Sequence, residues 1–403
     1  MAGPRAIEVS VVESDAAFAA LAADWDALQA DAKLTSIFES FDWQHLWWRS
    51  YGKGRALRLL VARDGGPRDG GKRDSGERDS GKIVGLLALH IETVPMLRYP
   101  VRQLRFVGTG GDTFPDDLGP VLAAGREEEA ARALAAAVMR LEGWDVLLLS
   151  DMNPGCPFTA AMEAAARGGG LTCQAGASEK ISYVDLPATW DAWLQTLSGD
   201  RRYRVRNIRK KLNAAHPARF FVWTDPATLE EGFDRLVHLH RKRWQSAGHS
   251  HAFTSPQYLG FHRAVMGALL PRDRLRLYAL EMGGQVSAMY YFYRFRDAVY
   301  LMQSGFDPDF AAVKPGQVLL GYIVEHAIGE GNKVLDFLKG DHRYKDELAT
   351  GERETHSLTA FRLRPGAMVY RLRRTILPAL KARLRQAAAK IRPAPAPPPA
   401  KGG

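Results

Sequence analysis

Asp336 stands inside an otherwise apolar run, Val334–Leu338 (VLDFL), and Asp341, His342, Tyr344 and Lys345 follow it within nine residues. A carboxylate in an apolar strand either pairs with a neighbour or does acid–base work. Asp336, Asp341 or His342 could take the proton of an amine or hydroxyl nucleophile, and Tyr344 could protonate a leaving thiolate. Lys345 completes the catalytic candidates. His342 and Tyr344 read equally well as surface residues. No GxSxG, HExxH or paired-cysteine motif points to a hydrolase or a metalloenzyme, and no metal site is expected.

The elements upstream must position these groups. A strand, Ala298–Ser304, ends in a polar loop, and Lys314-Pro315-Gly316 opens a helix over Gln317–Glu330. Gly331-Asn332 stops that helix before the strand that carries Asp336. Proline just inside a helix start and glycine just past its end is the expected asymmetry. Pro315 removes one amide donor. Gly316, Gln317, Val318 and Leu319 offer theirs to an anion such as a pyrophosphate, and Lys314 adds positive charge. The alternative is that Pro-Gly merely starts a helix.

An ordered set of internal matches frames this unit. LRLYAL (Leu275–Leu280) matches LRLLVA (Leu57–Ala62) at an offset of 218. GQVSAMYYF (Gly284–Phe292) matches GKIVGLLAL (Gly81–Leu89) at 203, and GNKVLDFL (Gly331–Leu338) matches GWDVLLLS (Gly143–Ser150) at 188. The first difference, 15 residues, is the length of the three five-residue repeats starting at Arg68, which lack apolar side chains and are expected to form a loop. Two copies of one α/β unit are therefore expected, with a linker near Gly168–Gly170 or Gly176. The helix of the first copy begins Arg126-Glu127-Glu128-Glu129, whose carboxylates would repel a phosphate. Only the second copy suits the anion. Ile37–Tyr51, dense in aromatics, is expected to be a buried helix, with a stacking platform as the alternative.

The 403 residues are 46% hydrophobic and 25% charged, an ordinary globular composition. Two cysteines, Cys156 and Cys173, are too few for a disulfide framework or a structural zinc site. No secretory leader is visible and no apolar run is long enough to span a membrane, so a cytoplasmic location is expected. The net charge of +10 is local: residues 355–403 hold eleven Lys/Arg and no Asp/Glu, and the preceding residues hold 44 Lys/Arg against 45 Asp/Glu. Val369–Ile391 reads as a basic amphipathic helix that fits either a membrane surface or docking on the body. A Pro-rich end follows it. Arg201–Lys211 is a second basic block with seven Lys/Arg.

The run YLMQSGFDPDFAAVKPGQVLL…IVEHAIGEGNKVLDFLKGDHRYKDEL resembles the C-terminal half of GNAT-like acetyltransferases of the cellulose-biosynthesis (CelD/BcsL) type. FESFDWQHLWWRSYG and LPATWDAWLQTLSGDRRYRVRNIRKKL are also similar to that family. The resemblance covers roughly residues 35–360 and is most specific at Asp336–Gly340 with Tyr344-Lys345. Fem-type aminoacyltransferases are wider relatives. Val313–Val318 stands where standard GNAT enzymes carry Q/R-x-x-G-x-G/A.

The implied fold is α/β (α+β): tandem GNAT-like domains, each a mixed, mostly antiparallel sheet flanked by helices. Residues 1–180 would form a degenerate first domain, 181–365 the acyl-CoA domain and 366–403 the basic tail. The implied activity moves an acyl group from acetyl-CoA or another acyl-CoA, as co-substrate, to an amine or hydroxyl acceptor, a saccharide or peptide, in exopolysaccharide or cell-envelope biosynthesis. The pantetheine would lie between strands 299–304, with Gln303 and Ser304, and 334–338, its pyrophosphate at Lys314–Leu319. Substrate contacts are expected from Arg202, Arg206 and Trp244. One alternative is a Fem-type aminoacyl-tRNA-dependent transferase, the only case in which nucleic acid is expected. Another is a non-enzymatic membrane-surface adaptor.

Overall fold

The computed structural model describes residues 6–65, 81–246, 248, 252–340, 348–378 and 381. Most of the five-residue repeats, most of the C-terminal segment and four catalytic candidates, Asp341, His342, Tyr344 and Lys345, lie outside them.

The first half of the chain supplies strands β1 (Ile7–Val12), β2 (Ala56–Asp64), β3 (Ile83–Met96), β4 (Tyr99–Phe106), β5 (Val121–Leu122), β6 (Val146–Met152) and β7 (Thr172–Asp185). The second supplies β8 (Ala218–Trp223), β9 (Leu275–Met282), β10 (Gln285–Phe295), β11 (Ala298–Phe306), β12 (Val334–Asp336) and β13 (Gly351–Phe361). All join one mixed sheet in the order β1-β2-β3-β4-β6-β13-β7-β12-β11-β10-β9-β8, with β5 pairing β3. Pairing is antiparallel except at β4/β6 and β11/β12. The three sequence matches fall on β2 and β9, β3 and β10, and β6 and β12, so the internal repeat is structural.

The strand order reads the same from either end once copies are matched. Each half gives its last strand to the other. β13 pairs with β6 of the first half, β7 pairs with β12 of the second, and β7 and β13 pair with each other at the centre. The expected division at 180/181 falls within β7. Gly176, expected in a linker, is a ladder residue opposite Ser357, because β7 runs on past it.

In each half one helix covers one face of the sheet. Glu127–Arg140 buries Ala130, Leu134 and Val138, and Pro315–Gly329 buries Val318, Leu319, Ile323 and Val324. The apolar residues recur at helical spacing, so each helix presents one continuous side to the strands. The aromatic segment forms the helix Phe41–Tyr51, capped by the Ser40 hydroxyl. Its side chains are buried, as the core-helix reading expects: Trp43 stands edge-on to Phe261 at 5.3 Å and Trp47 donates to the Thr113 hydroxyl at 2.7 Å. Phe261 lies on the second-half helix Pro256–Leu269, so these aromatics join the two halves.

Candidate functional site

Asp336 ends β12, and the alternation of the strand sends it to the face opposite Leu335 and Phe337. Those two are buried under the helix Pro315–Gly329. Asp336 is buried too, and both its oxygens are engaged. Oδ1 accepts the Leu338 amide at 2.7 Å and Oδ2 accepts the Arg353 guanidinium at 2.9–3.0 Å. Arg353, on β13, also binds both oxygens of Asp117, at 2.7 and 2.6 Å. A first-half loop, a second-half strand and the exchanged β13 thus meet at one guanidinium. Burial pushes the Asp117 carboxyl up and the facing Arg353 pulls it back.

A second cation doubles the arrangement. The Lys339 ammonium lies 2.6 Å from Asp151 and 3.5 Å from Asp116. Asp116 also accepts the Lys339 amide, and burial still pushes its carboxyl up to about 7. Thr355 and Ser178 hydroxyls hold Asp151 from β13 and β7. Desolvation of a buried carboxylate favours its neutral form, and the two cations offset that cost only where they touch.

Beside the Asp336–Arg353–Asp117 bridge lies a cavity of about 500 Å³. Ala298, Tyr300, Val334 and Asp336 line it from the second half, Glu39, Asp117 and Asn153 from the first. Tyr183 and Asp185 of β7 and Arg353 of β13 complete the wall. Glu39 is pushed up to about 8 by burial, although the Ser36 amide donates to it at 2.9 Å. At neutral pH it is largely a neutral carboxylic acid. Cys156, also in the wall, is pushed up to about 12 by burial and is a thiol, not a thiolate.

Beyond the last β11–β12 pair the strand has another geometry, with Gln303 and Gly305 on the cavity's face of the sheet and Ser304 and Phe306 on the face of the helix Pro315–Gly329. β11 pairs with β12 only from Ala298 to Tyr300, and residues 301–306 run on beyond the last pair. The β10–β11 register slips there, leaving Met302 as a bulge between Leu301 and Gln303. A bulge re-aims the side chains that follow it. Ser304 accepts Arg243 at 2.8 Å, and Gln303 donates to the Tyr258 hydroxyl. Arg243 lies 5.3 Å from the Phe306 ring and 5.4 Å from that of Trp244. A Cβ on Gly305 would come within 2.3 Å of the His240 amide nitrogen, so only glycine lets the helix Leu229–Ser246 seat here.

Phe306 reaches the start of the helix Pro315–Gly329, where a Cβ on Gly316 would sit 3.6 Å from Phe306 and from the Tyr290 hydroxyl. Lys314, exposed, caps that helix in a left-handed conformation at φ 54°. Gln317 and Val318 amides both donate to the Lys314 carbonyl at 3.1 Å. Anion-binding capacity here therefore rests on the Gly316 amide and the Lys314 ammonium. Val318 and Leu319 point into the core.

The candidates thus fall into separate places. Asp336 lies in the cavity; Gln303, Ser304, Trp244 and the Lys314–Leu319 turn lie around the β11 overhang. Arg202 and Arg206 lie on the helix Gly199–Ala215, where Arg202 donates to the Leu197 carbonyl and Arg206 faces Asp191 at 3.6 Å. Sequence reasoning missed Arg353, Asp117, Asp116, Asp151, Glu39 and Arg243. The adjacent Asp116-Asp117 pair was the one visible signal. Among the described residues no group of His, Cys, Asp and Glu could hold a metal ion, and both cysteines are free.

Residues 199–346 match the family described as Acetyltransferase (GNAT) domain. No curated protein matches the chain. FemX has a similar solved structure: TM-score 0.61 at 12% identity, over 91% of this chain and 99% of that one. The C-terminal domain of a putative lysylphosphatidylglycerol synthetase from Agrobacterium fabrum gives 0.50 at 12% identity, covering 88% and 95%. A protein of unknown function from Bacteroides thetaiotaomicron gives 0.50 at 12%, covering 88% and 100%. At such identities the likeness concerns the fold alone. The stretch that matches a GNAT acetyltransferase domain thus lies in the second of two matched, mostly antiparallel units of one sheet.

Proposed function

We propose that the protein transfers an acyl group from acyl-CoA, acetyl-CoA the first to test, to an amine or hydroxyl acceptor. One observation carries the reading: in the matched half the sheet opens beyond Tyr300/Asp336, and the two faces at that opening differ. On one face are Ser304 and Phe306 of the β11 overhang, Arg243 bonded to Ser304, and the carboxylate-free start of Pro315–Gly329, suited to an extended pantetheine and its pyrophosphate. On the other is the carboxylate-lined cavity, suited to an acceptor. The acceptor nitrogen or oxygen would attack the thioester carbonyl, the C–S bond would break, and the thiolate would leave with a proton.

The roles of Asp336, Asp341 or His342 as base, and of Tyr344 as proton donor with Lys345 beside it, are part of this proposal. So are a cell-envelope or exopolysaccharide acceptor and a cytoplasmic location with contact at the inner membrane face. Calorimetry with acetyl-CoA on wild type and Gly316→Glu tests the donor site: wild type should bind, and the variant should lose at least tenfold in affinity. Equal binding by both sinks the assigned site. Asp336→Asn should abolish turnover and keep donor binding; unchanged turnover removes Asp336 as the base.

A second reading has its own observation. On the helix Gly199–Ala215 the Tyr203 ring is 69% exposed among exposed Arg201, Arg204 and Arg206, a pairing of aromatic and cation that suits nucleic acid. Stabilisation by aminoacyl-tRNA and not by acetyl-CoA would favour a Fem-type transfer.

A further inference from the structure

We infer that the outer face of the C-terminal helix is a docking surface for an anionic lipid bilayer. This deepens the inner-membrane contact proposed above and does not depend on acyl transfer.

The helix Pro365–Arg371 continues through a wider turn, Leu372–Ile376. Its inner side is fixed to the sheet: Ala367 is buried and Tyr370 packs on Phe361. Just ahead of it, Arg362 lies over the Trp144 ring at 4.1 Å and donates to the carbonyls of Met139 and Leu141. The outer side is therefore held in one orientation.

That side is apolar and exposed. Met368, Leu372 and Ile376 are spaced by four and are 67%, 39% and 51% exposed; Leu363, just before the helix, is fully exposed. Among the described residues ten large apolar side chains are exposed, and these four fall within fourteen positions. Scattered exposed apolar residues need no explanation, but a row on one helix face does. Exposed Arg371, Arg373 and Arg374 flank the row, and no Asp or Glu occurs from residue 355 to 403.

Charge alone would suit nucleic acid as well as lipid. The apolar row decides between them, because a phosphate backbone offers it nothing. An anionic bilayer offers acyl chains to Met368, Leu372 and Ile376, and headgroup phosphates to the arginines. No described helix is long and apolar enough to cross a membrane, so the contact is peripheral.

The test is flotation of the full chain with vesicles of phosphatidylcholine alone and of equimolar phosphatidylcholine and phosphatidylglycerol. Wild type should float with the mixed vesicles and not with the neutral ones. Met368→Glu/Ile376→Glu should weaken binding at least tenfold and Met368→Leu/Ile376→Leu should keep it. Arg373→Gln should cost about fivefold, and added salt should shrink that difference. These side chains are exposed, so an unchanged melting temperature and unchanged acetyl-CoA binding should separate this loss from misfolding and from failure of the donor site. Equal flotation with both vesicle types, no flotation, or full binding by the Glu variant would overturn the inference, the last by leaving charge alone. Retention on duplex DNA in preference to mixed vesicles would also overturn it.

Discussion

The two halves share a strand order and differ at the position proposed for a phosphorylated donor. In the first half β4 ends at Phe106, one residue beyond its last pairing with β6, and its register with β3 has no slip. In the second, β11 bulges and runs six residues, 301–306, past its last pairing with β12. The helix starts differ in the same sense. A backbone amide at its own position and the Lys33 ammonium, 3.2 Å away, hold the Glu127 carboxylate below its usual range, so the first helix start already carries a negative charge. The second starts at Lys314-Pro315-Gly316 with no carboxylate in its first turn. Copies of one fold can thus be told apart by whether the anion position is already filled.

The bridge between the halves should produce the largest effect. Arg353→Ala leaves Asp117 and Asp336 buried without their cation and should cost about 3–5 kcal/mol of unfolding free energy. Urea titration should show the loss in the transitions of both halves, because β13 belongs to both. A loss confined to one half would break the picture of an exchanged strand.

Glu39 sharpens the same boundary through pH. Its carboxyl is raised from an ordinary 4.5 to about 8, so the folded chain keeps a proton that the unfolded chain releases. Its contribution is complete below pH 4.5 and falls as pH rises toward 8, by roughly 1.4 kcal/mol per pH unit at most. Glu39→Gln should flatten that part of the stability profile. A parallel profile for wild type and variant would show that Glu39 is already ionised.

The helix starts can then be interchanged. Gly316→Glu should cut acetyl-CoA affinity about tenfold or more, and Glu127→Gly should leave it unchanged. A gain of a second binding event on Glu127→Gly would show that the first half differs by this one carboxylate. Lys314→Ala should have the smallest effect, about two- to fivefold in affinity, for one exposed charge at a helix start.

Much of the fold was legible. Alternation and apolar runs marked β2, β3, β9, β10 and β12, and the offsets between them marked the repeat. The burial of Trp43, Trp47 and Tyr51 followed from their number and helical spacing. β7 and β13 were harder. TCQAGASEKISYVD and GERETHSLTAF are polar over much of their length, and their apolar residues do not say which sheet they complete.

The site divided in the same way. Asp336 could be singled out from local sequence, because a carboxylate among Val, Leu and Phe is costly to bury without a partner. Its partner Arg353 lies 17 residues away, beyond a polar stretch, and Asp117 lies 236 residues from Arg353. The pairing of β13 with β6 and β7 decides that meeting, through backbone hydrogen bonds that any sequence of suitable alternation can make. The sequence by itself determined which runs become strands and helices, which half keeps its helix start free of carboxylate, and that Asp336 needs a partner. Only the tertiary structure decided that the halves exchange their last strands, and so that one guanidinium holds a carboxylate from each half beside a shared cavity.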